Sequence, residues 1–190
     1  MIFSHKNFHK QLILQAQHTS CYHFNYYIPK EWQLILMNDG SLTQSLTSLT
    51  GELANLKVVE EYSYKLIDNI RKTRQVWLED YKSNKLALAE SLWPSPKKNQ
   101  LSNHKPIGQS FIEYQFDIYK DIHEIYYGYC SYLENIFNCQ GPIWGRKYTI
   151  YYQKKRLATL REIFAPEVID FFSIQRENNI KFTEVNKEYV

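Results

Sequence analysis

Runs in which apolar side chains alternate with their neighbours recur along this chain and constrain its fold more than any other feature. The run LKVVEEYSYKLI, residues 56–67, has this period of two, which is typical of a β-strand. TRQVWLEDY and KLALAESLW repeat it and are joined by residues 82–84, a connection short enough for a hairpin. GRKYTIYYQ and RLATLREIFAP form a second predicted hairpin, with its turn at residues 154–155. The sequence therefore predicts antiparallel strands.

Helical patterns surround these strands. The segment KEWQLIL follows Pro29, a favourable first-turn residue, and has its apolar residues on one side of a helix. A second short helix, SLTQSLTSL, can be capped by Asp39 or Ser41. A third is predicted for IGQSFIEYQF, after which DIHEIYYGYCSYL returns to a strand-like composition. Residues 1–20 have only weak helical spacing, which predicts a short amphipathic helix or a loose lead-in.

The order of these elements predicts the fold class α+β. We expect a single domain with an antiparallel β-sheet, helices packed over one face and an internal ligand cavity. A chain of 190 residues suits one compact domain with its own core. Its predicted parts are an N-terminal lead-in at 1–28, the main domain at 29–176 and a polar C-terminal tail at 177–190.

Composition excludes several classes of function. The 23 Lys and Arg residues against 20 Asp and Glu give a net charge of +3, too small to predict binding to nucleic acid. No apolar run approaches the ~20 residues that span a bilayer, and the N-terminus does not resemble a signal peptide. The three cysteines form no C-x-x-C pair, and His5 and His9 have no third metal ligand near them in sequence. We expect a soluble protein without a metal site.

Two charged residues stand where strand periodicity calls for apolar ones. In RLATLREIFAP, Glu162 shares a strand face with Ala158, Leu160 and Phe164, because strand side chains alternate between two faces. A lone buried carboxylate costs several kcal/mol even after relaxation, so Glu162 should have a cationic partner, a ligand or a raised pKa.

The second such residue is Arg74, which shares a face with Val76 and Leu78 in TRQVWL. A guanidinium and a carboxylate that enter one cavity could hold a small molecule with an acid group at one end and a hydroxyl at the other. Two alternatives stay open: Arg74 and Glu162 form only an internal salt bridge, or the predicted phase is wrong by one residue. Glu90 also falls in an apolar phase, and no role is assigned to it.

With these residues placed, the chain resembles the chorismate lyase family, in the form found in cyanobacteria and in red algal and related plastids. The likeness covers roughly residues 29 to 166, and its pieces come in the family's order. They are PKEWQLILMNDGSLTQSL, TRQVWLEDYKSNKLALAESLWP, KPIGQSF and GPIWGRKYTIYYQKKRLATLREIFAPE. The last is the most specific, since a W-G-R strand followed by a hairpin that ends in E-I-F-A-P is rare by chance.

The resemblance implies a function and a set of residues. It implies a chorismate pyruvate-lyase, which removes pyruvate from chorismate to leave 4-hydroxybenzoate and uses no cofactor. Arg74 and Glu162 would be the catalytic pair, with Arg74 binding a carboxylate and Glu162 the ring hydroxyl. Leu42 and Ile107 would bind the substrate through backbone N–H groups, and free amides at the start of a helix favour anions in any protein.

The expected partners are therefore chorismate and 4-hydroxybenzoate, with no nucleic acid, no membrane span and a monomeric state. A binding module stays the alternative, because by resemblance the same fold serves as the effector-sensing domain of certain bacterial transcription regulators. Such regulators carry a DNA-reading domain ahead of it, and the lead-in 1–28 is too short to be one. A non-catalytic protein that holds 4-hydroxybenzoate fits the same residues.

Abundant Lys, Tyr, Phe, Ile and Asn, all with A/T-rich codons, fit an organelle genome. Together with the resemblance, this composition predicts the plastid stroma as the location, or otherwise the cytoplasm. There 4-hydroxybenzoate would feed quinone biosynthesis, plastoquinone above all.

Overall fold

The fold is taken from a computed structural model, which describes residues 8–15, 26–66, 69–93, 111 and 117–174. Several sequence predictions concern residues outside these ranges. They are Ile107, His5, the C-terminal tail and the helix IGQSFIEYQF, apart from Phe111.

Seven strands and four short α-helices make up the described part of the chain. The strands are β1 His9–Gln15, β2 Asn55–Leu66, β3 Asn69–Glu79, β4 Lys85–Trp93, β5 Ile118–Tyr129, β6 Ile143–Tyr152 and β7 Lys155–Phe164. The helices are α1 Lys30–Leu36, α2 Leu42–Thr50, α3 Ser131–Phe137 and α4 Phe171–Ile174, with a 3-10 turn at Pro166–Ile169. The predicted α+β class is confirmed.

All seven strands belong to one antiparallel sheet in the order β1-β5-β6-β7-β4-β3-β2. Both predicted hairpins are present as the pairs β3–β4 and β6–β7. The turn of the second lies one residue earlier than predicted, because Gln153 and Lys154 have positive φ and Lys155 already belongs to β7. The neighbouring strands β7 and β4 are far apart in sequence, so a long-range pairing joins the two parts of the sheet.

Helices α1 and α2 cover the face of the sheet on which Glu162 lies. Trp32 of α1 packs against Trp144 and Phe164, with ring centroids 6.3 and 6.2 Å apart. Ser41 caps α2 through its hydroxyl, and Gly51 ends it in the left-handed conformation at φ 75°. Helix α3 adds a contact on the other face, where Phe137 meets Trp77 edge-on.

Two local predictions are wrong. Residues 9–15 form the edge strand β1 instead of a helix or a loose lead-in. The strand-like segment DIHEIYYGYCSYL was predicted to continue to Leu133, but residues 131–137 form helix α3. Strand β1 exists through its pairing with β5, which local spacing does not encode. Gly128 permits that pairing, because a Cβ there would lie 2.8 Å from the Cα of Lys10.

Candidate functional site

A pocket of about 340 Å³ lies between the sheet and the first turn of α2. Its walls come from strands β2 to β7 on the sheet side and from residues 39–44 on the helix side. The lining is mainly apolar and includes Val76, Leu78, Ala89 and Leu160. Such a volume falls at the lower end of the range typical of small-molecule sites.

The strand register explains why the two predicted charges meet in this pocket. Arg74 of β3 lies opposite Ser91 of β4, and Ser91 lies opposite Leu160 of β7. Ala89 is opposite Glu162, so all of these side chains share one face of the sheet. Both Arg74 and Glu162 line the pocket, and they are 7% and 2% exposed. The predicted phase of both residues is therefore correct.

The ion-pair partner of Glu162 is Arg146. The Nε of Arg146 donates to Oε2 of Glu162 at 2.6 Å, and the Tyr148 hydroxyl donates to Oε1 at 2.6 Å. Of the three alternatives expected for this carboxylate, a cationic partner, a ligand or a raised pKa, the structure shows the cationic partner. The partner is not Arg74, whose guanidinium is a separate cation on the pocket wall.

Arg146 also anchors the end of α1. Its Nη1 donates to the carbonyls of Ile35, Leu36 and Asn38 at 2.9, 3.0 and 2.9 Å. Burial lowers the pKa of Arg146, but the charge and hydrogen bond of Glu162, together with Tyr148 and Asp39, outweigh it and the pKa is raised. Arg146 therefore stays charged and fixes the loop after α1, which forms the pocket rim.

Sequence reasoning missed Arg146 and Tyr148, although a signal was present. In IWGRKYTI, the residues Trp144, Arg146, Tyr148 and Ile150 alternate along β6 and all are buried. An arginine in an apolar phase is the same signal that identified Glu162. The W-G-R motif was noted without a role for its arginine.

The phenol of Tyr148 is held in its neutral form. Burial and then the negative charge of Glu162 raise its pKa well above the ordinary value. The hydroxyl therefore keeps its proton and remains a donor to Glu162, which fixes the carboxylate in place.

Leu42, the third predicted ligand residue, lines the same pocket. It is the first residue of α2, directly after the capping Ser41. The N–H groups in the first turn of a helix have no carbonyl of their own helix to donate to, and they favour negative charge. The structure thus brings Leu42, Arg74 and Glu162 to one pocket, and Ile107 lies outside the described residues.

Lys120 of β5 is a further pocket residue that sequence reasoning did not single out. Its Nζ donates to the carbonyls of Gly40 and Asn38 at 2.8 and 3.2 Å. The ammonium also lies 4.7 Å from the ring centroid of Tyr148. Burial and the charge of Arg146 lower the pKa of Lys120 to about 8.

Glu90 lies away from the pocket. It accepts from Gln75 at 2.9 Å and pairs with Arg161 at 3.2 Å. Gln75, Glu90 and Arg161 are paired across their strands, and each is one residue away from a position on the Glu162 face. They therefore lie on the opposite face of the sheet. Burial raises the pKa of Glu90 despite Arg161. Glu90 thus stands among apolar strand positions as part of an ion pair with Arg161, and it does not line the pocket.

Within residues 8–15, 26–66, 69–93, 111 and 117–174, no three His, Cys, Asp or Glu side chains are grouped to hold a metal ion. Among the same residues, no helix has the length and apolar character that crossing a membrane requires.

A family model described as chorismate pyruvate-lyase Rv2949c-like matches residues 36–172, most of the chain. The chain belongs to the chorismate pyruvate-lyase Rv2949c-like family. The matched region runs from the last residue of α1 into α4, so it holds Arg74, Lys120, Arg146 and Glu162.

Relatives from algae match most of the chain. The relative named "Uncharacterized protein ycf21" from Antithamnion sp. is 41% identical over 171 residues, which cover 87% of this chain and 94% of the relative. The protein of the same name from Porphyra purpurea is 35% identical over 149 residues, which cover 76% and 86%.

Solved structures share the fold at low sequence identity. The effector domain of PhnF from Mycobacterium smegmatis superposes with a TM-score of 0.54 at 10% identity and covers 70% of this chain and 92% of that one. The gene product SA0254 from Staphylococcus aureus gives a TM-score of 0.53 at 11% identity, with 68% and 90% covered. These likenesses show the fold alone.

Proposed function

We propose that this member of the chorismate pyruvate-lyase Rv2949c-like family converts chorismate into 4-hydroxybenzoate and pyruvate. The observation that carries the proposal is the meeting of Arg74 and Glu162 on the walls of one largely apolar pocket. The family membership of the chain supports the same reaction.

The pocket suits a ring that has an acid group at one end and a hydroxyl at the other. A guanidinium such as that of Arg74 binds a carboxylate through two parallel N–H donors. The first turn of α2, which begins at Leu42, adds N–H donors to the same rim. Glu162 uses one lone pair on each oxygen for Arg146 and Tyr148, and a carboxylate has about four acceptor sites, so it can accept from the ring hydroxyl as well.

The reaction balances without a further reactant. The bond between ring carbon C3 and the ether oxygen breaks, and the hydrogen on C4 is transferred to the methylene of the enolpyruvyl group. That group leaves as pyruvate and the ring becomes aromatic. In this scheme Arg74 orients the ring and Glu162 holds the C4 hydroxyl, so the protein contributes by positioning the reactive conformer and excluding water.

The proposal is tested by incubating the purified protein with chorismate and following pyruvate and 4-hydroxybenzoate by chromatography. We expect both products in equal amounts, well above spontaneous decay. In Arg74→Met, kcat/KM should fall about thirty- to a thousand-fold, because the buried partner of the carboxylate is lost. Arg156→Met is the matched control, since Arg156 is exposed at the start of β7. No product above background from the unaltered protein would disprove the lyase.

A second candidate is a module that binds 4-hydroxybenzoate without turnover, and the fold shared with the PhnF effector domain favours it. Calorimetry separates the two functions. Tight binding of 4-hydroxybenzoate with no conversion of chorismate would support the module, and Arg74→Met should weaken that binding as well.

We also propose the plastid as the setting of the reaction, where 4-hydroxybenzoate would serve quinone synthesis. The AT-skewed residue usage and the algal ycf21 relatives support this setting. Immunolocalisation in the source cell tests it, and a signal confined to the cytoplasm would contradict it.

A further inference from the structure

Two positively charged side chains, Arg74 and Lys120, line the pocket together with the carboxylates of Asp39 and Glu162. Glu162 is already neutralised by Arg146 within the sheet. Arg74 and Lys120 are two separate positive groups on the pocket wall, contributed by β3 and β5. A ligand with a single carboxylate would engage one of them.

We propose that Lys120 forms a second carboxylate subsite, which receives the carboxylate of the enolpyruvyl group. This inference rests on the proposed function, because chorismate carries one carboxylate on the ring and another on the group that leaves. Product 4-hydroxybenzoate retains only the ring carboxylate. Lys120 therefore discriminates substrate from product.

The geometry of the ammonium supports this subsite. An ammonium has three N–H donors, and within the described part of the chain Lys120 directs two of them to the carbonyls of Gly40 and Asn38. The third N–H is available to a ligand acceptor in the pocket that Lys120 lines. The two carbonyls and the Tyr148 ring fix the ammonium against the helix-side rim, so its position is set before a ligand arrives.

Burial, more than the surrounding charges, brings the pKa of the Lys120 ammonium toward neutral pH. Burial lowers this pKa most and Arg146 lowers it further, whereas Glu162 and Asp39 raise it, and the result is a pKa of about 8. Below pH 8 Lys120 is a cation and binds a carboxylate. As the pH rises above 8 the proton is lost, and affinity for a dicarboxylate falls with it.

The subsite is tested by calorimetry with two ligands that differ only in the enolpyruvyl group. One is 3-(1-carboxyethenyloxy)-4-hydroxybenzoate, whose ring is already aromatic and cannot react, and the other is 4-hydroxybenzoate. In Lys120→Met we expect Kd for the dicarboxylate to rise about ten- to a hundred-fold, as for a lost charged hydrogen bond. Kd for 4-hydroxybenzoate should change by less than about threefold.

Two further variants guard against a trivial loss of folding. Lys120→Arg keeps the positive charge, so it should restore most of the dicarboxylate affinity and remove the weakening above pH 8. Lys147→Met changes an exposed lysine on the neighbouring strand and should leave both affinities unchanged.

Equal changes for the two ligands in Lys120→Met would overturn the subsite. Because neither ligand reacts, this outcome is distinct from failure of the lyase proposal, which shows as absent turnover in the unaltered protein. A matching ten- to hundred-fold rise in KM for chorismate would extend the result to the substrate itself.

Discussion

Substitution of Arg146 by Met removes the cation from the most buried ion pair described in this protein. Met has a similar length and no charge, so Glu162 keeps only the Tyr148 hydroxyl as a partner within the sheet. The carbonyls of Ile35, Leu36 and Asn38 lose their donor in the same step. The change therefore affects both the sheet and the end of α1.

The size of the effect follows from this burial. Breaking a buried pair by removing one partner costs about 3–5 kcal/mol, because the other charge is left without compensation. For a chain of this length each kcal/mol lowers the melting temperature by about 2–4 °C. We therefore expect Arg146→Met to melt roughly 6–20 °C below the unaltered protein.

A double-mutant cycle in urea measures the pair itself. Glu162→Gln alone leaves the buried guanidinium of Arg146 without its negative partner, so it should also lower the free energy of unfolding by several kcal/mol. The double variant should be about 1–3 kcal/mol more stable than the sum of the two single losses predicts. Exposed Lys147→Met, at the next position along β6, is the control and should leave the midpoint unchanged. Strict additivity, or a loss below about 1 kcal/mol in Arg146→Met, would refute the reasoning.

Two further predictions concern the neighbouring Gly145 and Tyr126. Gly145→Ala should lose about 1–3 kcal/mol in urea unfolding, because the added Cβ would lie 2.5 Å from the Tyr126 ring, and an unchanged midpoint would contradict it. Burial raises the pKa of Tyr126 and of Tyr148. The folded protein then keeps protons that the unfolded chain loses above about pH 10, so stability should fall as the pH rises past that value. Tyr126→Phe should flatten this alkaline decline, and an unaltered slope would count against it.

The strands and hairpins could be predicted because their signals are local. A period of two in RLATLREIFAP fixes which residues share a face, and a buried position for Glu162 follows from that phase alone. The same reasoning placed Arg74, and the structure bears out the burial of both. Applied to IWGRKYTI, it would have found Arg146 as well.

Other features could not be predicted because their cause lies far away in sequence. Strand β1 forms by pairing with β5, more than a hundred residues later, and its own spacing is too weak to indicate a strand. Lys120 stands in a strand of mixed composition, and its importance comes from carbonyls near residue 40. The periodicity within a single segment of sequence does not indicate such contacts.

The sequence by itself thus determined the class of the fold, which side chains share a face of its central strands, and the burial of Glu162 and Arg74. Only the tertiary structure decided that Glu162 pairs with Arg146, and that Arg74 and Lys120 are separate cations on the pocket wall. The physical reason is that alternation is a property of each strand alone. Which side chains meet depends on the order in which the strands pair, here with β7 beside β4 at the centre of the sheet.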